Sequence, residues 1–159
     1  MLKFVFDADA AIKLAKAGVL EKITMFAKCI MPKQVNEEVL KGKEKMYEDA
    51  FIVEELVHKN KINVTTTNHE QINGLGAGEC SALALFGVFK ADAIISDDRK
   101  FLSLLEMREI PFITPIDAVT LLALKHCITK QEAINALTRL RKLVRKENYQ
   151  EAIKTIGGL

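Results

Sequence analysis

The chain has 159 residues, 49% of them hydrophobic and 28% charged, with a formal net charge of +2. That length suits one domain spanning 1–159, able to bury about 70% of the surface its unfolded form exposes, and so small a charge compels no nucleic-acid partner. Cys29, Cys80 and Cys127 are odd in number and form no CxxC pair, which excludes a disulfide framework and argues against zinc; with no membrane-length apolar run and no signal-like N-terminus, a cytoplasmic protein is expected.

The chain opens with KFVFDADAAIK, Lys3 to Lys13, where a continuous apolar run stops at two acids spaced i, i+2. Phe4, Val5 and Phe6 read as a strand covered on both faces, with Asp7 at its carboxyl end. Asp7 or Asp9 there either caps the next helix or lines a ligand crevice, since open α/β sheets bind ligands beyond their strand tips. A helix follows to Gly18, then a second from Leu20 to Lys28, a brief strand at Ile30 and Met31, and a break at Pro32. From Lys33 to about Leu40 a helix carries Val35, Val39 and Leu40 on one side, with Glu37 and Glu38 beside that stripe. The polar stretch Lys41 to Asp49 reads as a solvated hinge.

AFIVEELVHKN is an amphipathic helix, INVTTT a strand, and NHEQINGLGAG a loop. From Gly78 the chain turns helical. ECSALALFGVFK is almost wholly apolar, which predicts a buried helix entered by Glu79. Ala93 to Ile95 repeats the opening pattern, a core strand ending in Ser96, Asp97 and Asp98. A helix from Arg99 to Ile110, a short strand PFIT and an apolar helix IDAVTLLALKHC follow. Thr129 and Glu132 form a capping-box pattern, and residues 129–159 read as basic amphipathic helices with Ile134, Leu137, Leu140 and Val144 inward.

Alternating strands and helices imply a three-layer α/β/α sandwich around a parallel sheet, with right-handed crossovers. Four or five strands ordered 3-2-1-4-5 are expected, strand 1 central. Neighbouring first and fourth strands would bring Asp7, Asp97 and Asp98 into one crevice. Carboxylates so crowded repel one another unless a cation neutralises them, and an oxygen-only donor set suits Mg²⁺ or Mn²⁺ with a phosphate substrate.

In order along the chain these features resemble the PIN domain family, whose metal-dependent ribonucleases include the toxins of VapBC toxin–antitoxin pairs. The matching motifs are Asp7-Ala8-Asp9 at a strand tip, Val35 to Val39 with Glu38, Gly78-Glu79 opening a small-residue helix, and Ser96-Asp97-Asp98-Arg99-Lys100-Phe101. Asp9 replaces the usual small polar residue, and the GE form matches a subgroup of prokaryotic PIN proteins. The resemblance implies an endoribonuclease holding Mg²⁺ or Mn²⁺ through Asp7, Glu38, Glu79 and Asp98. Asp97 would be a further ligand, Asp9 and Ser96 would orient the ligands, and Lys13, Arg99 and Lys100 would steer RNA. It also implies a homodimer and a small antitoxin partner. The helix from Ile116 to Ile128, apolar beyond one stripe, needs cover from a second chain or from the tail.

Three other functions bear on these residues. F-D-A-D also resembles the DxD of haloacid dehalogenase-like phosphohydrolases, with Asp7 as nucleophile and Asp9 as acid/base, but no Gly-Thr flap follows and Glu38 and Glu79 go unused. A receiver-like domain lacks its later Lys-Pro. A PIN-type fold that binds RNA or protein without cutting is the third alternative, opposed by the presence of all four acids. His58, His69 and His126 lie on unrelated segments, and the tail's eight Lys or Arg against three Glu between Lys125 and Lys154 read as a solvated helix face.

Overall fold

Alternate residues of the first strand serve two different cores. In β1 (Leu2–Phe6) the side chains of Phe4 and Phe6 enter a cluster of 33 buried residues, while Val5 enters one of 11 on the opposite face. Period-two alternation of a strand covered on both sides requires this. The same split separates Cys29 and Met31 from Ile30, and Ala93 and Ile95 from Ile94.

The structure, a computed structural model, describes residues 1–159. β1 leads into α1 (Ala8–Lys16) and α2 (Leu20–Phe26). β2 (Ala27–Pro32) precedes α3 (Lys33–Leu40), a 3-10 turn over Lys41–Lys45, and α4 (Glu48–His58). β3 (Ile62–Thr65) is followed by a loop and α5 (Ala77–Phe89), β4 (Ala93–Ile95) by α6 (Arg99–Met107), and β5 (Phe112–Ile113) by α7 (Pro115–Leu124), α8 (Lys130–Leu140) and α9 (Lys146–Gly157). The sheet runs β3-β2-β1-β4-β5 with every pairing parallel, the expected order. No helix is long and apolar enough to cross a membrane.

Register decides where the acids emerge. Phe6 lies opposite Ile95, so the next residues, Asp7 and Ser96, leave adjacent strands side by side, and the Asp7 N–H donates to the Ile95 carbonyl at 3.2 Å. On the other flank Val5 lies opposite Ile30, which puts Pro32 and the start of α3 next to the same tip.

Several local expectations shift by tertiary pairing. β2 begins at Ala27 because Ala27 and Lys28 pair with Leu2 and Lys3, which shortens the preceding helix. The stretch read as a hinge contains the 3-10 turn and the first residues of α4. The helix after β4 stops at Met107, and Glu109 takes a left-handed φ of 56°.

Two helices fall on opposite sides of expectation. α5 is expected to be buried, yet Val88 is 66% exposed, because only one side of α5 packs into the smaller core, through Cys80, Ala82 and Leu85. α7 does have its second cover, from its own chain: α8 and α9 both pack on it, burying Ile116, Val119 and Leu122 with Leu137, Leu140 and Ile156. The capping boxes Thr114–Asp117 and Thr129–Glu132 start α7 and α8. Arg139 of α8 closes the tail onto α1, donating to the Ala17 carbonyl at 3.2 Å beside Gly18. Gly18 has φ +77°, a conformation that favours glycine, and a Cβ there would stand 2.5 Å from Arg139 Nη1 and displace that guanidinium.

Candidate active site

The end of β1, the N-terminus of α1, one face of α3, the entry to α5 and the β4–α6 junction enclose a cleft of about 460 Å³. Asp7, Asp9, Glu37, Glu38, Glu79 and Asp98 border it, with Gln34 and Lys41. Four separate chain segments therefore deliver the four acids expected to act together.

Asp7 is only 5% exposed and caps α1, its Oδ1 accepting the Ala10 N–H at 2.8 Å. Both readings of Asp7 hold at once, cap and cleft wall. Its Oδ2 accepts a hydrogen bond from the Ser96 hydroxyl, and Ser96 Oγ in turn accepts the Asp98 N–H at 3.2 Å. Ser96 thus ties the two strand-tip acids together. Asp98 caps α6, with Oδ1 accepting the Phe101 N–H at 2.9 Å.

Glu38 reaches the cleft because α3 buries Val35 and Val39 and turns its polar side outward. Glu79, at the third position of α5, accepts the Gly76 N–H at 3.3 Å. Gly78 makes the meeting of the two helices close: a Cβ there would lie 3.1 Å from Val35 Cγ2 and 3.9 Å from Glu38 Oε2. A side chain at this position would press on Val35 and lie against Glu38.

Electrostatics follow from this crowding. Burial pushes the Asp7 carboxyl up to about 7, against the lowering effect of its bonds from Ser96 and Ala10 and with the help of Asp9 and Glu79. Glu79 is also raised, by burial first, then by Asp98 and Glu38, with the Gly76 N–H and Lys100 opposing. Six carboxylates and a single cation, Lys41, border this cleft, so negative charge is in excess. All its titratable donors are carboxylate oxygens, which fits a hard divalent cation, although as placed no three Asp, Glu, His or Cys side chains stand ready to share one ion. None of the three histidines borders the cleft.

Two expectations are corrected here. Asp97, expected as a ligand, does not border the cleft; its side chain, 6% exposed, pairs with Lys13 Nζ at 2.7 Å. Lys13, expected to steer RNA, is itself held at 2.9 Å from Asp9 and has a side chain only 13% exposed. Burial disfavours the Lys13 ammonium, but the bonds to Asp97 and Asp9 outweigh it and hold its pKa above the ordinary lysine value. A cation so matched is an internal strut. Arg99 and Lys100 are exposed and form no ion pair, with Lys100 beside Gly74 and near enough to Glu79 to lower its pKa. Sequence reasoning passed over Gln34 and Lys41; their spacing from Glu38, four before and three after, was the signal available.

The sequence pattern of the PIN domain family, DUF3368, matches residues 3–158. Among solved structures the chain is similar to a PilT N-terminus domain protein, SSO1118, from the hyperthermophilic archaeon Sulfolobus solfataricus P2. The TM-score is 0.51 at 13% identity, covering 73% of this chain and 89% of that one, a likeness of fold. No curated protein matches.

Proposed function

Since the chain belongs to the PIN domain family, whose members are generally nucleases, we propose that it is a divalent-metal-dependent endoribonuclease. One observation carries this reading: Asp7, Glu38, Glu79 and Asp98 come from four segments to one cleft, two of them bridged by Ser96. Asp7, Glu38, Glu79 and Asp98 would hold Mg²⁺ or Mn²⁺, which when bound supplies charge stabilisation at a phosphodiester and an acidified water. Ser96 orients Asp7 and holds the backbone of Asp98, so the acids keep their places when the charge between them changes. Asp9 stays with Lys13 at the rim. Arg99 and Lys100 offer sequence-independent contacts to phosphates.

The phosphohydrolase alternative loses support on the same geometry. A mechanism built on Asp7 and Asp9 alone leaves Glu38 and Glu79, which border the same cleft, without a role. Asp9, the acid/base of that mechanism, is paired with Lys13.

Incubation of purified protein with end-labelled single-stranded RNA, with Mn²⁺ or Mg²⁺ and with EDTA, tests the proposal. Internal cleavage that needs the metal and falls at least about 100-fold in Asp7→Asn and Asp98→Asn is expected. Full activity in EDTA, or unchanged cleavage by both variants, would sink the mechanism.

A further inference from the structure

We propose that Gln34, on α3, and Lys41, the residue that caps its C-terminus, form a nucleotide-positioning track, in which Lys41 holds a backbone phosphate and Gln34 accepts a ribose 2′-hydroxyl. This rests on the nuclease reading of the cleft and names how the substrate lies in it. Gln34, Glu38 and Lys41 stand at i, i+4 and i+7, so they share one helix face about one turn apart. All three border the cleft. A strand laid along that face therefore meets an amide, a carboxylate and an ammonium in succession.

Lys41 is the sole Lys or Arg bordering the cleft, in the company of six carboxylates, yet it takes part in none of the ion pairs of the chain. Its place at the end of α3 is favourable in any case, since cations suit helix C-termini. That accounts for the charge but leaves the ammonium without a partner. A phosphate entering an acidic cleft meets repulsion from every other charged group on its wall, so the one free cation decides where the phosphate rests.

Gln34 brings a second, independent observation. Its Oε1 is shielded from solvent and accepts no hydrogen bond, an unmet demand that most buried acceptors do not carry. Asn36 Oδ1 shares that deficit but does not border the cleft. An acceptor calls for a donor, and a phosphodiester has none. The 2′-hydroxyl of RNA supplies one and DNA lacks it. Lys41 would then bind either nucleic acid, and Gln34 would separate them.

Fluorescence anisotropy of a short single-stranded RNA and the DNA of the same sequence, titrated with full-length protein in Ca²⁺ across a KCl series, tests this. Lys41→Gln is expected to weaken both ligands by the same factor and to reduce the slope of log affinity against log salt by about 0.7, with Lys41→Arg restoring it. Gln34→Met is expected to weaken RNA about 5-fold while DNA and the salt slope stay unchanged. A Lys41→Gln slope equal to wild type, or equal losses on RNA and DNA in Gln34→Met, overturns the track. Wild-type protein that binds neither nucleic acid overturns the nuclease reading instead.

Discussion

Asp7 is asked to cap a helix as an anion and to sit where an anion is poorly solvated. The native state therefore holds its proton more tightly than the unfolded chain does. With the folded carboxyl at about 7 and an ordinary aspartate near 4, stability is expected to fall as pH rises through that window. At about 1.4 kcal/mol per unit, the loss from Asp7 alone reaches at most about 4 kcal/mol. Urea midpoints measured at about pH 5 and about pH 8 should show it in metal-free protein, and Asp7→Asn should flatten it, because the amide does not titrate yet still caps. A wild-type profile with no decline would show that Asp7 is ionised and solvated. Added Mn²⁺ should raise the midpoint more at the higher pH, since proton and metal compete for the same oxygens. For Ser96→Ala we expect a loss of about 1–3 kcal/mol, with Asp7 losing its donor and the Asp98 N–H its acceptor.

Helices α3 and α5 meet at Gly78, where even a Cβ would stand 3.1 Å from Val35 Cγ2. Gly78→Val should force them apart, at a cost of about 1–3 kcal/mol from overpacking, and should weaken Mn²⁺ binding in calorimetry by separating Glu38 from Glu79. Unaltered metal affinity in a folded Gly78→Val protein would show that the two acids do not act together. Lys13, spanning from α1 to the β4–α6 junction, makes the contrasting case. Lys13→Met leaves Asp97 buried without its cation, so a destabilisation of about 3 kcal/mol is expected, with no change in the salt dependence of RNA binding. A reduced salt slope in that variant would restore Lys13 to the substrate surface.

For the molecule as a whole, the tail is part of the core. α8 and α9 place Leu137, Leu140 and Ile156 against α7, each fully buried aliphatic side chain contributing about 1.5–3 kcal/mol. A chain ending at Ile128 would lose several such contacts against a total stability of about 5–15 kcal/mol. It should be recovered aggregated or binding a hydrophobic dye; a monodisperse, cooperatively melting truncation would show the tail to be dispensable. The same packing answers the sequence argument for a dimer through Ile116 to Ile128. That face is covered from within the chain.

Much of this architecture is legible in the sequence. Apolar runs such as FVF and AII mark strands covered on both faces, and the acids that end them fall where parallel strands open their crevice. Caps and capping boxes, being local, were readable too, as at Thr129 and Glu132. Residue order alone established the chain's α/β character, the central place of the first strand, and the four acids in their motifs. Tertiary structure decided what each side chain faces. Asp97 and Asp98 are consecutive, and only the register of β4 against β1 and the packing of α1 send one to Lys13 and the other to the cleft. Lys41 reads as part of a polar hinge in the sequence, and only the burial of Val35 and Val39, which turns the polar side of α3 to the cleft, places it beside the acids. Local periodicity and capping are properties of a segment. Charge pairing, cover and solvent access belong to the segments it meets.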